Sequence, residues 1–501
     1  MPDIILCTLN ARYIHASMGL RYLFANMGTL RASSRLMEFN INSRVIDIAE
    51  SLLQQQPKII GLGVYIWNAS ESLQLVQLIK TISPETIIVL GGPEVSYEYE
   101  QQTLVELADY TITGQADLAF RQLCEQLLAN NKPSDKIIHP PPLTLSEIEL
   151  PYAYYTDEDI RNRIIYVEAS RGCPFKCEFC LSALDKTVYP FELEVFLNEM
   201  EKLYQRGVRH FKFVDRTFNL KVDTSIRIME FFLQKIQTDK LFLHFELIPD
   251  HLPEKLKSTI ARFPEGSLQF EIGIQSLNPQ VQQTISRKQN TQKVINNLHW
   301  IRQHSHAHIH ADLIIGLPGE SIGSFARGLN QLYEMNPHEI QVGILKRLKG
   351  TPIIRHSENY DMRYSPLPPY NILSNNLIGF MDMQRLSRFA RYWDLIINSG
   401  RFKHTRAILL ADQPFDNFLT LSDWLYQSTG QTHKIALPRL FSLLYQGMQQ
   451  VLNLQVENIS QSLLKDFKNS GLKGRPAFIE NQIEKAEKIS RSARRQVRHL
   501  I

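Results

Sequence analysis

Three cysteines stand close together near the middle of the sequence. Cys173, Cys177 and Cys180 have a CxxxCxxC spacing within the run Arg171-Gly-Cys-Pro-Phe-Lys-Cys-Glu-Phe-Cys180. The apolar run just upstream, at 164–169, predicts a buried strand, so the cysteines are expected on the loop that leaves its C-terminal end. Thiolates with this close spacing can bind a soft metal centre such as an iron–sulfur cluster.

The positions of the other cysteines limit which metal centre the motif can bind. A four-iron cluster needs four ligands, and the other two cysteines, Cys7 and Cys124, are far from the motif in sequence. One iron would therefore stay open to a small molecule. A zinc knuckle and unrelated core thiols are the alternatives. Structural zinc is usually closed by four protein ligands, and core packing does not require a Gly-Cys-Pro turn.

The motif resembles that of the radical S-adenosylmethionine (SAM) enzymes. In that family three cysteines hold a 4Fe-4S cluster, and SAM chelates the fourth iron through its amino and carboxylate groups. Electron transfer from the cluster then cleaves SAM to a 5′-deoxyadenosyl radical. The resemblance implies that Cys173, Cys177 and Cys180 ligate the cluster and that Phe179 contacts SAM. It also implies an electron donor such as flavodoxin or ferredoxin.

Length, composition and charge limit the class of protein, its possible partners and its compartment. A chain of 501 residues is long enough for about three domains, and 44% hydrophobic with 21% charged residues is ordinary for a globular protein. The net charge of +4 is too small to argue for nucleic acid as a partner. No apolar run is long enough for a membrane span, and the first residues do not resemble a signal peptide. Five cysteines fit a reducing cytoplasm.

The first part of the chain, residues 1–131, alternates short apolar runs with helical patterns. Strands are predicted at 3–9, 44–48, 59–66, 86–93 and 110–114, with helices at 20–27, 70–82 and 118–128. This alternation predicts a doubly wound parallel sheet, which binds ligands at the carboxyl ends of its strands.

The turns of this region resemble those of a cobalamin-binding domain. A Gly91-Gly-Pro93 turn is followed, about twenty residues later, by a strand that ends at Gly114. A generic nucleotide fold and a bare structural turn are the alternatives. An Asp-x-His-x-x-Gly sequence, the source of an axial histidine in many mutases, does not occur here. Trp67 could then lie near the lower corrin face, or it could cap the sheet edge. The predicted cobalamin contacts are Asn10, Arg12, Trp67, Gly91, Gly92, Pro93 and Gly114.

A polar linker at 132–151, with three consecutive prolines at 140–142, is predicted to lead into a second domain at 152–355. Strand-like runs at 164–169, 210–215, 241–246, 268–274, 308–315 and 339–345 alternate with helical stretches. The pattern resembles the partial (β/α)6 barrel of the radical SAM family, whose site lies at the C-terminal face of the strands.

The resemblance also assigns SAM contacts beyond Phe179. They are Asp215, Thr217, Glu271, Gln275, Ser276, Arg287, Ile315 and Gly316. Asp215-Arg-Thr217 stands where the family often has Gly-Gly-Glu, and an arginine such as Arg287 suits the SAM carboxylate because its donors form a fork. Each polar residue could instead belong to a solvated strand end. The alternating histidines between His304 and His310 are interpreted as a hydrated strand entry rather than a metal site, because same-face positions on a strand are too far apart.

Residues 356–501 are predicted to form a helical domain of uncharacterised type whose aromatic residues pack as a core. Arg491, Arg494, Arg495 and Arg498 fall on one helical face. A solvated face is favoured there over binding of RNA or an acidic substrate.

The leading hypothesis is a cobalamin-dependent radical SAM enzyme that methylates an unactivated carbon of a small molecule or peptide. In such enzymes one SAM methylates cobalamin, and a second gives the radical that abstracts hydrogen from the substrate. Cyclisation, ring contraction or oxidation with the same cofactors is the first alternative. A tRNA-modifying methylthiotransferase, which carries a second cluster on three N-terminal cysteines, and a non-catalytic cluster protein complete the hypotheses. The sequence does not single out a catalytic side chain.

Overall fold

The computed structural model describes residues 1–185, 187–452, 454–474 and 476. Chain contacts separate two compact units. The first contains Met1–Gly328 and Glu334–Met383, and the second contains Leu329–Tyr333 and the chain from Gln384 onward. The three cysteines of the CxxxCxxC motif and the predicted ligand loops all belong to the first unit.

The N-terminal part of the first unit is a parallel sheet in the order β2-β1-β3-β4-β5-β6. Its strands are β1 Ile4–Asn10, β2 Ser34–Asn40, β3 Ile59–Gly63, β4 Ile87–Gly91, β5 Tyr110–Ile112 and β6 Ile137–Ile138. Its helices are α1 Met18–Ala25, α2 Val45–Leu53, α3 Ala69–Ile82, α4 Thr103–Leu107 and α5 Ala119–Leu128. The predicted doubly wound sheet is confirmed. The strand order reverses between β1 and β3, and this switch point is where such sheets bind ligands.

Alternating side chains of β1 form separate cores on the two faces of this sheet. Ile5, Cys7 and Leu9 pack with residues of α2, α3 and α4, whereas Ile4 and Leu6 pack with residues of α1 and α5. Cys124 belongs to the second of these cores. Both faces of β1 are therefore buried, which explains why its sequence is a continuous apolar run.

The strand predicted at 44–48 is wrong, because this segment begins helix α2. Ile48, Ala49 and Leu52 are its buried residues, and their spacing is that of one helical face. The second strand is β2, which precedes this segment and is only partly buried along its length. A short apolar run cannot by itself distinguish a strand from a helix, and a polar edge strand gives a weak signal.

The second sheet of the first unit is parallel and open, in the order β14-β13-β12-β11-β10-β7. The strands of this region are β7 Ile165–Val167, β8 Ser170–Gly172, β9 Val188–Pro190, β10 His210–Phe213, β11 Phe242–Leu247, β12 Leu268–Gln275, β13 His308–Ile315 and β14 Glu339–Ile344. The helices are α6 Asp157–Asn162, α7 Leu193–Gln205, α8 Val222–Ile236, α9 Glu254–Ile260, α10 Pro279–Thr284, α11 Thr291–His304 and α12 Ile322–Glu334. The predicted partial barrel is confirmed as this open six-stranded sheet. Strands β8 and β9 form a separate antiparallel pair around the cysteine loop.

Strand β12 shows how the sheet presents polar groups on its inner face. Its residues alternate between buried and partly buried positions, with Phe270 and Ile272 in the core and Glu271 between them. Strand β13 alternates in the same way. Because side chains on a strand point to opposite faces in turn, Glu271 and Asp312 share the inner face near the carboxyl ends of their strands.

The end of the first unit contains a two-stranded antiparallel pair, β15 Arg363–Tyr364 and β16 Ile372–Ser374. The helices described in the rest of the chain are α13 Phe380–Ile396, α14 Lys403–Leu409, α15 Pro414–Thr429, α16 Leu437–Val451 and α17 Val456–Asn469. The aromatic residues of this helical part pack as a core, as predicted: Phe389, for example, lies 5.5 Å from Trp393 and 5.2 Å from Phe418 between ring centroids. The arginines at 491–498 lie outside the described residues.

Within the described residues, no helix combines the length and the apolar character that crossing a bilayer requires.

Candidate functional site

The three cysteines of the motif line one cavity at the carboxyl ends of the barrel strands. This cysteine cavity has a volume of about 230 Å³. Its charged and polar lining residues come from strands β11, β12 and β13 and from the loops between the barrel elements: Arg216, Thr217, Glu246, Asp250, Glu271, Gln275, Arg287, Lys288, Gln289 and Asp312. Phe175 and Phe179 form part of its wall. The polar side chains thus converge at the C-terminal end of the barrel strands, where the sequence predicts the site.

Glu178 holds the cysteine loop at its centre. Its side chain is 2% exposed, and its carboxylate accepts hydrogen bonds from Ser286 Oγ at 2.5 Å and from Arg355, and pairs with His356 Nε2 at 2.6 Å. The backbone of Glu178 also donates to the carbonyl of Ile285 at 3.1 Å. The loop is thus tied both to the segment before Arg287 and to the short helix Pro352–His356.

The thiols lie near one another in a largely buried position. Cys173 and Cys177 are buried and Cys180 is partly buried. Burial raises the pKa of Cys173, and the neighbouring Cys180 and Cys177 add to this shift. Arg287 Nη1 lies 3.4 Å from Cys177 Sγ, which brings a positive charge to the thiols. The donor set is entirely sulfur, which suits an iron–sulfur cluster.

A single metal ion fits these residues poorly. Among the residues that the structure describes, no three or more His, Cys, Asp and Glu side chains meet closely enough to hold one ion. In a four-iron cluster each cysteine binds a different iron, so the sulfurs do not have to meet at one point. Three cysteines line the cavity, one fewer than the four protein ligands that a closed structural zinc site usually has.

Five of the predicted SAM contacts line the cysteine cavity. They are Phe179, Thr217, Glu271, Gln275 and Arg287. The hydroxyl of Thr217 and Nε2 of Gln289, another lining residue, are buried atoms without a hydrogen-bond partner. Buried polar groups are normally paired, so these two orphaned atoms fit a cavity built around a polar ligand.

The other predicted SAM contacts, Asp215, Ser276, Ile315 and Gly316, do not line the cavity. Asp215 accepts hydrogen bonds from Ala169 N at 2.9 Å and from Ser170 Oγ at 2.6 Å, and burial raises its pKa to about 7. Ser276 donates to Glu320 Oε1 at 2.8 Å. At Gly316, where φ is +91°, a Cβ would lie 2.6 Å from Ile372, and Ile315 is fully buried. Asp215 and Ser276 therefore make hydrogen bonds within the barrel, and Ile315 and Gly316 pack in its interior.

A second cavity, of about 440 Å³, lies between the N-terminal sheet and the barrel. Glycines from three strand ends and the following loops line this glycine cavity: Gly61, Gly63, Gly91, Gly92 and Gly114. The barrel contributes Glu168, Ser170, Arg171, Gly172, Val214 and Arg216.

The glycines keep backbone exposed where a large ligand could approach it. Gly92 has φ of +108°, and a Cβ there would lie 2.4 Å from the carbonyl oxygen of Val64, so only glycine fits. Gly114 has φ of +65° with open space around it. Gln115 Oε1, in the same loop, is buried without a hydrogen-bond partner. This open backbone and the orphaned amide oxygen fit a large polar ligand such as cobalamin.

Four predicted cobalamin contacts, Asn10, Arg12, Trp67 and Pro93, do not line the glycine cavity. Asn10 donates to Glu38 Oε1 and to the carbonyl of His15, both at 2.9 Å. Trp67 donates to the carbonyl of Leu9 at 3.2 Å and stacks on Tyr65 with 4.4 Å between ring centroids. Tyr65, and not Trp67, lines the cavity.

Sequence reasoning missed the residues that connect the two cavities. Arg216 lines both of them, and its Nη1 lies 3.0 Å from Glu246 Oε1. Arg171 pairs with Asp117 across the boundary between the sheet and the barrel, at 3.1 Å. Both arginines lie within motifs that the sequence singles out, but their partners are distant in sequence.

The segments that line the two cavities match two known protein families. Residues 5–124 match the model of the B12 binding domain, and residues 167–332 match that of the radical SAM superfamily. Residues 358–500 match a family of proteins of unknown function, DUF4080. The chain thus combines a segment similar to a B12-binding domain with a segment similar to a radical SAM domain.

The chain is also similar in sequence to a cobalamin-dependent radical SAM methyltransferase and to an uncharacterized methyltransferase. It is 24% identical over 366 residues to the cobalamin-dependent radical SAM methyltransferase TokK of Streptomyces tokunonensis. This alignment covers 65% of this chain and 52% of that protein. It is 28% identical over 211 residues to the uncharacterized methyltransferase PH0819 of Pyrococcus horikoshii, covering 37% of this chain and 46% of that protein. The chain thus spans about half the length of these curated relatives.

The cobalamin-dependent SAM radical enzyme OxsB, solved with aqua-cobalamin and SAM bound, has a similar fold. The TM-score is 0.63 at 13% identity, over 97% of this chain and 82% of that chain.

The inner face of the barrel carries charged groups at the cysteine cavity and on the neighbouring strands. Glu271 pairs with His244 Nε2 at 3.0 Å, and this hydrogen bond, supported by Lys212, lowers the pKa of Glu271 to about 2. Burial alone would lower the pKa of His310, but its hydrogen bonds to Asp312 and Glu339 raise it to about 10. The anionic Glu271 therefore faces the cavity across the whole physiological pH range.

Proposed function

We propose that this protein is a cobalamin-dependent radical SAM methyltransferase that methylates an unactivated carbon of a small molecule or peptide. The observation that carries the proposal is the shared wall of the two cavities, because Arg216 lines both. A substrate at this junction would lie beside both cofactors. When bound, the cluster with SAM would supply a 5′-deoxyadenosyl radical, and cobalamin would supply a transferable methyl group.

Cys173, Cys177 and Cys180 would hold the cluster. Arg287 would bind the SAM carboxylate, since its guanidinium already lies beside Cys177 and suits a carboxylate. Glu271 would accept hydrogen bonds from the ribose or the amino group of SAM, because it stays ionised. Phe175 and Phe179 would exclude water from this end of the site.

Gly91, Gly92 and Gly114 would let the backbone approach cobalamin closely, and Gln115 would supply a polar contact through its unpaired amide oxygen. Tyr65 would face cobalamin with Trp67 stacked behind it. The chemistry needs an electron donor such as flavodoxin or ferredoxin, and a reducing cytoplasm would suit it.

Radical cyclisation, ring contraction or oxidation with the same cofactors is the second candidate. Product mass separates the two, because methylation replaces one hydrogen by a methyl group. A methylthiotransferase is disfavoured by the N-terminal cysteines. Cys7 and Cys124 are buried in the separate cores on opposite faces of the sheet, so they cannot share a second cluster.

The experiment that tests the proposal is anaerobic purification and reconstitution with iron, sulfide and hydroxocobalamin, followed by metal analysis and assay of SAM cleavage under reduction. We expect about four irons and about one cobalt per chain, with release of 5′-deoxyadenosine. The Cys177→Ala variant is the control, and it should lose iron and SAM cleavage.

Retention of iron and SAM cleavage without any retained cobalamin would contradict a methylcobalamin mechanism. Retention of both cofactors with no SAM cleavage would contradict the enzymatic proposal as a whole.

A further inference from the structure

The guanidinium of Arg171 joins the loop that lines the glycine cavity to the loop that carries the cysteines. Nη1 and Nη2 donate to both carboxylate oxygens of Asp117, at 3.2 and 3.1 Å, and Nε donates to Glu168 Oε1 at 2.7 Å. Its Cζ lies 4.3 Å from the centroid of the Tyr22 ring. The side chains of Arg171, Asp117 and Glu168 are at most 15% exposed. This contact is bidentate and shielded from solvent, which makes it directional.

On one side, the contact ends in a loop that any ligand of the glycine cavity must meet. Asp117 is the last of four consecutive residues, 114–117, that all line this cavity. Gly114 is in the left-handed region with open space around it, and Gln115 has an unpaired buried oxygen. A ligand that fills this space changes the surroundings of Asp117 directly.

On the other side, the contact is two residues from the first cluster ligand. Arg171 lies in β8, where it pairs with Tyr189 of β9, and Gly172 pairs with Val188. A Cβ on Gly172 would lie 1.9 Å from the carbonyl oxygen of Thr187, so the two backbones are in close contact. The segment that leads from Arg171 to Cys173 is therefore in close backbone contact with β9, so a shift of the arginine would be passed on to the cysteine.

We propose that Arg171 is a positioning residue that couples the two cofactor sites. Cobalamin bound against the 114–117 loop would hold Asp117, and Asp117 would fix Arg171 and the backbone that presents Cys173. The coupling rests on the proposed function, because it assumes that the glycine cavity binds cobalamin. Coupling between two sites is reciprocal, so the cluster must strengthen cobalamin binding by the same factor as cobalamin stabilises the cluster.

The test measures the affinity of the full chain for hydroxocobalamin by equilibrium dialysis, once in the iron-free form and once after cluster reconstitution. We expect hydroxocobalamin to bind at least about fivefold more tightly when the cluster is present, the lower end of the range for coupled sites. In Asp117→Asn, which keeps the shape of the side chain but removes its charge, this ratio should fall toward one. The matched control is Glu98→Gln, because Glu98 pairs with Arg347 across the same boundary and lines neither cavity.

A second readout is the rate at which a ferrous chelator removes iron from the reconstituted protein. Hydroxocobalamin should slow this rate in the wild-type protein and in Glu98→Gln. It should leave the rate of Asp117→Asn unchanged. Both wild-type ratios can be measured even if a variant does not fold.

The outcomes separate the coupling from the function on which it rests. Equal affinities with and without the cluster in the wild-type protein would overturn the coupling and leave cobalamin binding intact. If the affinity ratio of Asp117→Asn equals that of the wild-type protein, the proposed role of Arg171 is overturned. Failure of both forms to retain hydroxocobalamin would overturn the proposed function, and the coupling with it.

Discussion

Arg216 stands at the boundary of the two cavities, and its charge is opposed by Glu246. The arginine side chain is 53% exposed, toward the cavities that it lines, whereas Glu246 is 20% exposed. Burial raises the pKa of Glu246, and the guanidinium opposes this rise. The ion pair therefore offsets part of the cost of burying a carboxylate close to the place where we expect the substrate to lie.

Replacing Arg216 by Gln should destabilise the protein by about 1 kcal/mol, the range of a partly exposed ion pair. The physical reason is that Glu246 keeps its burial but loses the cation. Urea unfolding of the wild-type protein, Arg216→Gln, Glu246→Gln and the double variant measures the pair. If the effects of the single variants simply add in the double variant, the ion pair contributes nothing to stability.

Glu178 is the side chain that we expect to fix the cysteine loop. Glu178→Gln weakens its hydrogen bonds to His356 and Arg355, and hydrogen bonds to charged groups contribute about 2 kcal/mol. The variant should therefore release iron to a chelator faster than the wild-type protein. The exposed Glu358, two residues after His356, gives the control Glu358→Gln. Equal release rates for the two variants would show that Glu178 does not hold the loop.

At the scale of elements, the hairpin of β8 and β9 depends on one glycine. Gly172→Ala would place a Cβ 1.9 Å from the carbonyl oxygen of Thr187 and would also force alanine to φ of +92°. The left-handed conformation alone costs about 1–2 kcal/mol, and the clash adds to it. The matched control is Gly266→Ala, where φ is +76° and nothing lies within 4 Å. Thermal unfolding should show a clearly larger loss for Gly172→Ala, and an equal loss would contradict the close approach of the strands.

The neighbouring strands β13 and β14 are joined by an ion pair in which His310 Nδ1 lies 3.1 Å from Glu339 Oε2. The pKa of His310 rises from 6.5 to about 10 on folding, so the folded protein holds a proton that the unfolded chain loses. This stabilisation is complete below pH 6.5 and disappears as the pH rises toward 10. A single proton corresponds to a slope of at most about 1.4 kcal/mol per pH unit.

We therefore expect the free energy of unfolding of the wild-type protein to fall between pH 6.5 and 10, and to fall less steeply in His310→Gln. Urea unfolding across this pH range measures the difference. His304→Gln, at the exposed end of α11, controls for the loss of an imidazole. Parallel pH profiles for the wild-type protein and His310→Gln would contradict a charged His310.

For the whole molecule, the sequence predicts the two parallel sheets because long alternations of apolar runs and helical patterns leave few topologies open. It also predicts the cysteine loop, since its ligands are adjacent in the chain. The sequence does not predict which side chains at the end of β12 face the cavity, because the register of β12 against β13 shifts between Gly273 and Gln275. At the end of β12, Gln275 lines the cysteine cavity, whereas the next residue, Ser276, donates a hydrogen bond to Glu320. No local pattern could indicate that Arg171 meets Asp117, because the two residues are 54 positions apart.

The same limit applies to the contacts that join the N-terminal sheet to the barrel. Glu94 follows the Gly91–Pro93 turn and is buried between Lys349 Nζ, at 2.9 Å, and the hydroxyl of Tyr370, at 2.5 Å. The side chains of Glu94 and Lys349 are 4% and 14% exposed. This buried pair holds the turn that lines the glycine cavity against the segment that follows β14.

Lys349→Met should destabilise the first unit by about 3 kcal/mol, because it leaves a buried carboxylate without its cation. The variant should also lose hydroxocobalamin faster, since the glycine turn lies directly before Glu94. The double variant Glu94→Gln/Lys349→Met should recover most of the stability, because removing both charges leaves no unpaired ion. The control is Arg347→Gln, whose partner Glu98 is 38% exposed and whose loss should cost less than about 1 kcal/mol. Urea unfolding and the rate of hydroxocobalamin dissociation measure both effects. Equal losses for Lys349→Met and Arg347→Gln would mean that the turn is held by its own backbone and not by the barrel.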